Sequence, residues 1–149
     1  MHSLFVPDDR QSVLGRLERL EPAAARQWGK MGVAQMLAHC SIAMEVATGE
    51  TLRRQTLVGR IFSPFVRSSL LGEKPFGKNS PTDPAFIVTG EKDFAAEKQR
   101  LTRLVHTFCG NGPEKASTHT HSFLGRLRGE EWGVMMYKHI DHHLRQFGA

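Results

Sequence analysis

An all-α fold is predicted for this chain by three observations: long segments with apolar residues three and four apart, acids and glycines at their ends, and almost no alternating stretches. The 149 residues suit one domain of ordinary size, and residues 1–149 are read as a single helical domain. The expected architecture is a four-helix bundle with a long irregular connection between the second and third main helices.

The first helix is expected after Pro7-Asp8-Asp9, with Asp as N-cap, carrying Val13, Leu14, Leu17 and Leu20 until Pro22 stops it. A second runs from about Ala24 to Thr48 and ends at Gly49. Leu57 to Leu71 is apolar enough for a further helix, or for two broken at Ser63-Pro64, and Gly72 to Pro84 reads as irregular chain. Phe86-Ile87-Val88 reads as a short extended piece, and His119 to Phe123 as another. The third main helix starts near Asp93, bears Phe94, Leu101, Leu104, Val105 and Phe108, and stops at Gly110. The fourth opens on Glu130-Glu131, acids favourable at the positive end of the helix dipole, and continues to Phe147.

The formal net charge is +5, and much of it lies between Thr51 and Ser80, where six Arg and Lys face only Glu73. No nucleic-acid reading motif accompanies them, so no specific nucleic acid is expected as a partner. No apolar run approaches the roughly 20 residues that span a bilayer, and no membrane partner is expected. Ile61-Phe62 and Phe65-Val66, mixed with Arg60 and Arg67, raise a membrane or partner surface. The favoured reading is a helix that covers the bundle or forms a homodimer contact. Cys40 and Cys109 make no disulfide framework, and the N-terminus does not resemble a signal peptide, so the protein is read as cytoplasmic.

The chemistry lies in the eight histidines. His139 and His143 are four apart, which stacks their side chains on one helix face. Two imidazoles so placed can converge on one ion. The same stripe runs back through Met136 and Trp132, and a second, Met36, His39, Ala43 and Val46, puts His39 on an inward face. An unpaired imidazole there would cost free energy, whereas a shared metal would satisfy all three. A hydrogen-bonded core histidine is the ordinary alternative for His39, and periodicity leaves open whether the two helices meet. His142 lies about 100° around the helix from His143 and is placed at the rim. Asp141 also points away, so a zincin mechanism is not supported. Cys40 reads as a small buried hydrophobe.

Several segments carry a wider likeness: Trp28-Gly29-Lys30-Met31 with Gln35 to Cys40, Lys78 to Val88, His121-Ser122-Phe123-Leu124-Gly125 with Glu131-Trp132, and Tyr137 to Gly148. In this order they resemble the DinB/YfiT-like superfamily, more narrowly a bacterial branch of unknown function. That resemblance implies a four-helix bundle and a metal held by one His of the second helix and an H-x-x-x-H pair of the last, matching His39, His139 and His143. It also implies relatives that act as transferases or isomerases with low-molecular-weight thiols. Ser122 departs from the Pro expected in its segment, so loop chemistry transfers less well than the ligands.

The expected cofactor is a divalent metal, Zn or Ni, with a low-molecular-weight thiol as co-substrate. Three neutral histidines leave a coordination position open, the pattern of a catalytic site. A bound thiol or water would attack a small-molecule substrate in a transferase or hydrolase reaction, with His121 as an extra ligand or acid/base and Arg145 as a carboxylate clamp. The alternative is a non-catalytic metal or ligand binder with a structural or vestigial site. For His121 the ordinary role is capping local backbone, and for Arg145 it is a solvated place at the negative end of the helix dipole.

Overall fold

The computed structural model describes residues 1–149 and is mostly helical, with five helices and one two-residue hairpin. The helices are α1 (Pro7–Arg19), α2 (Val33–Thr48), α3 (Leu57–Leu71), α4 (Phe94–Ala116) and α5 (Gly129–Gln146). Strands β1 (Thr120–His121) and β2 (Gly125–Arg126) pair antiparallel just before α5. No helix is long and apolar enough to cross a membrane.

One hydrophobic cluster is shared by α1, α2, α4 and α5. Val13 and Leu17 come from α1, Met36, Leu37 and Met44 from α2, Leu101, Leu104 and Phe108 from α4, and Trp132, Met136, Ile140 and Leu144 from α5. Helix α2 is the central element: twelve of its sixteen residues are buried, so it is apolar nearly all round rather than striped. It lies mainly against α4 and also against α5.

Local chemistry explains where the helices begin. Helix α1 starts at Pro7 with Val6 as N-cap, one turn before the expected point, because proline's fixed φ suits the first helical position. Asp9 therefore lies inside the first turn, and its carboxylate accepts instead from Ser3 N (2.9 Å) and His2 Nδ1 (2.6 Å). Helix α2 begins at Val33, well after Ala24, with Gln35 Oε1 reaching back to Gly32 N at 2.9 Å. The residues before it direct their backbone to α5: Gln27 N donates to Gln146 O at 2.8 Å. Asp93 caps α4 as expected, accepting from Ala96 N at 2.7 Å. That helix passes Gly110 and kinks at Gly112 (φ 76°, ψ 172°), ahead of Pro113, which has no N–H to continue the ladder.

Two further expectations change. Phe86 does not open an extended piece but closes a 3-10 turn, Pro84–Phe86, held by Asp83 Oδ1 on Ala85 N. Helix α3 is continuous through Pro64 and lies on the molecule, but with its small-residue face inward. Gly59 and Ser63 are its buried residues, while Leu57, Val58, Ile61, Phe62 and Phe65 face outward. Closeness at Gly59 forces this orientation: a Cβ there would lie 2.3 Å from the Phe123 carbonyl oxygen. The helix is fixed further by Gln55, which donates to Phe123 O (2.9 Å), and by Lys138 of α5, whose ammonium donates to Leu70 O (2.8 Å) and Gly72 O (2.6 Å) at the α3 C-terminus.

Candidate metal centre

Helices α2 and α5 bring His39, His139 and His143 together, with one ligand atom from each within 4.8 Å of the others. His39 and His143 are buried and His139 is half-buried. The nearest approach is 2.9 Å, between His39 Nε2 and His139 Nε2. Around a tetrahedral zinc, nitrogens about 2.0–2.1 Å from the ion sit roughly 3.3 Å apart, so this separation needs only a small adjustment.

Hydrogen bonds define two of the three tautomers. His39 Nδ1 lies 2.9 Å from the carbonyl oxygen of Phe86, a group that only accepts, so Nδ1 carries the proton and Nε2 keeps its lone pair. Gln146 does the same for His143. Its Nε2 donates to Trp28 O at 2.8 Å, which sets the amide orientation and turns Oε1 toward His143 Nδ1, also at 2.8 Å. His143 Nδ1 therefore donates, and Nε2 is bare. The remaining ring differs: His139 Nδ1 is buried with no hydrogen-bond partner.

Burial disfavours the charged imidazolium, so the rings are neutral ligands at neutral pH. It lowers His39 despite the Phe86 bond, lowers His143 to about 3, and, with help from the neighbouring histidines, holds His139 well below its ordinary value. A neutral imidazole with a free Nε2 lone pair and an anchored Nδ1–H is the form that binds a divalent ion. The donor set fits such an ion: one nitrogen from each of three imidazoles converges, two of them bare, and no lysine or arginine is among them.

The other sequence candidates lie elsewhere. His121, on β1, is outside the three-histidine group, and its Nδ1 accepts from Phe123 N and Leu124 N, both at 3.0 Å. One of its nitrogens is thus used to close the hairpin, the backbone-capping role. Arg145 follows His143 by two residues, about 200° around the helix. It faces away from the cluster and bonds Asp141 Oδ2 at 3.0 Å. Asp141 also accepts from Arg16 at 2.7 Å, tying α5 to α1. His142 sits at the rim against Trp28, ring centroids 5.5 Å apart. Cys40 is fully buried beside Met36, and burial pushes its thiol far up, which removes it as a nucleophile.

Sequence reasoning did not single out the groups that orient the ligands. Gln146 is three residues from His143, a spacing that places it within reach on the same face. The carbonyls of Phe86 and Trp28 carry no sequence signal of their own.

Fold and site together define a mostly helical protein with a buried three-histidine group that could hold a metal ion. Residues 3–149 match the family described as "Protein of unknown function (DUF1569)", and the chain belongs to that family. No curated protein and no solved structure gives a significant match.

Proposed function

We propose that this is a divalent-metal protein of DinB-like, four-helix-bundle type that uses His39, His139 and His143 as ligands and activates a small thiol or water for attack on a small-molecule substrate. The observation that carries the reading is the pair of bare Nε2 atoms, on His39 and His143, each made bare by a carbonyl acceptor at its Nδ1. Two separate elements, the Pro84–Phe86 turn and the α5 C-terminus, are used to hold those rings. A histidine that only filled the core would make the same Nδ1 bond; what favours the metal reading is that the two bare nitrogens converge with His139.

When bound, a zinc or nickel ion with three neutral nitrogen ligands lowers the pKa of a thiol or water at an open position. The chain's own contribution is positional. Phe86 O and Gln146 Oε1 hold two imidazoles in the ligating tautomer. His139 Nδ1 has no such partner, and its Nε2 donates to the bare Nε2 of His39, so an ion held there would require that proton to shift to Nδ1 or leave. Transferase or hydrolase chemistry suits such a centre better than a structural role, because the large cluster shared by four helices holds α2 and α5 together without the ion.

The test is metal content in protein prepared without chelator or histidine tag. About one equivalent per chain is expected, and His143→Ala should lose it. Less than a tenth of an equivalent would overturn the assignment, as would unchanged binding in that variant. A screen of small thiols with model electrophiles, with and without metal, then separates an enzyme from a binder.

A further inference from the structure

The N-terminal part of helix α3 is inverted relative to an ordinary surface helix, whereas Leu70 and Leu71 at its end pack against the core. Gly59 and Ser63 face the protein, whereas Leu57, Val58, Ile61, Phe62 and Phe65 are 75%, 59%, 61%, 53% and 80% exposed. Leu52, just before the helix, is 81% exposed and extends the patch. Isolated exposed apolar residues are ordinary on protein surfaces, but five on two turns of one helix mark an interaction site.

Charge selects the occupant. Between Thr51 and Gly72 there are four arginines, Arg53, Arg54, Arg60 and Arg67, and no Asp or Glu. Arg67 is committed to Glu131 at 2.8 Å, while Arg54, in the chain leading into α3, and Arg60, on the helix, are exposed with no ion-pair partner. A second copy meeting this face about a two-fold axis would bring the same arginines together with no acid from the segment to answer them. A stable dimer also draws roughly 20–30 residues and about 800 Å² from each partner, more than one short helix presents. An apolar face with aromatic side chains, flanked by cations and free of acids, matches a helix lying in the headgroup region of an anionic bilayer.

We propose that the outer face of α3 binds anionic lipid surfaces, seating Leu57, Val58, Ile61, Phe62 and Phe65 among the acyl chains with Arg54 and Arg60 at the phosphates. This proposal departs from the expectation of no membrane partner. The α3 segment covers the molecule as expected, but its apolar side is the one left outside.

Vesicle flotation with the full chain tests this. Most of the protein should float with vesicles of phosphatidylcholine and phosphatidylglycerol in low salt and stay at the bottom with phosphatidylcholine alone. Ile61→Glu/Phe65→Glu should cut binding at least tenfold, and Arg54→Glu/Arg60→Glu should weaken it and reduce its salt dependence. These side chains are exposed, so melting curves should match the unaltered protein; if the glutamate pair fails to fold, Phe65→Ser replaces it. Absence of flotation overturns the proposal, as does equal flotation of the Ile61 and Phe65 variants. Sedimentation showing a dimer that Ile61→Glu dissociates, without vesicle binding, assigns the face to a second copy and overturns it too.

Discussion

Gln146 is the residue whose role is most specific to the site. Its amide is read in one orientation because Trp28 O requires a donor, and that leaves Oε1 for His143. Gln146→Ala should keep the fold yet weaken zinc binding about 10–100-fold, the usual cost of losing a group that orients a ligand. Competition titration against a chromophoric chelator reads this directly; unchanged affinity would remove Gln146 from the site. His121 allows a pH test at a residue outside the three-histidine group. Burial lowers its pKa to about 4, and its unprotonated Nδ1 is the acceptor for two backbone N–H groups. The unfolded chain therefore takes up this proton near pH 6.5, before the folded chain does. Stability associated with His121 is complete above pH 6.5 and falls as pH drops toward 4, by up to about 1.4 kcal/mol per pH unit. Urea melts of metal-free protein should show a shallower fall for His121→Asn, whose amide oxygen accepts without titrating. Parallel pH profiles for the two proteins would contradict the role.

Among the elements, α3 depends on close approach and on a cap donated by another helix. Gly59→Val should push α3 off the hairpin, because even a Cβ meets the Phe123 backbone at 2.3 Å and 2.9 Å. A loss of about 1–3 kcal/mol is expected, the range for forcing atoms into a filled contact. Lys138→Met keeps the apolar stem but removes the ammonium from the carbonyls of Leu70 and Gly72. It should cost about 1–3 kcal/mol and raise hydrogen exchange at the α3 C-terminus, with α2 and α4 unchanged. Exchange that rises everywhere equally would show that α3 is not a separable unit. The hydrophobic pattern of Leu57–Leu71 made a helix legible, but its orientation was not. Periodicity identifies an apolar face, and burial of that face is only the commonest outcome. Here the small face at Gly59 and Ser63 fits the hairpin surface, and the apolar one is left outside.

For the molecule as a whole, the extent of the core decides what metal removal does. Leu17, Met36, Leu104, Phe108, Trp132 and Ile140 are fully buried in one cluster, so the fold does not rest on the three histidines. Chelation should leave the helical circular dichroism signal intact at 25 °C. Zinc at 100 times its dissociation constant should then add about 2.7 kcal/mol, seen as a raised Tm. Unfolding on chelation would instead make the site structural.

Much of this organisation is written locally. The i, i+4 pair His139 and His143, the inward stripe through Met36 and His39, the Asp93 cap and the Gly49 stop follow from helical geometry and short-range hydrogen bonding, which depend on neighbours within a few residues. Helix lengths were less legible where distant groups compete: Gln27 and Trp28 bond to Gln146 at the end of α5 rather than extending α2, and only the folded chain supplies that partner. The same holds for the site. Three histidines on two inward stripes are a feature of the sequence, but the 2.9 Å approach of His39 to His139, 100 residues away, exists because α2 and α5 bury their faces in one core. The tautomers follow from the carbonyl of Phe86 and the amide of Gln146, groups that acquire meaning only from position. Residue type and spacing thus decided that imidazoles would look inward, and long-range packing decided that they would look at one another.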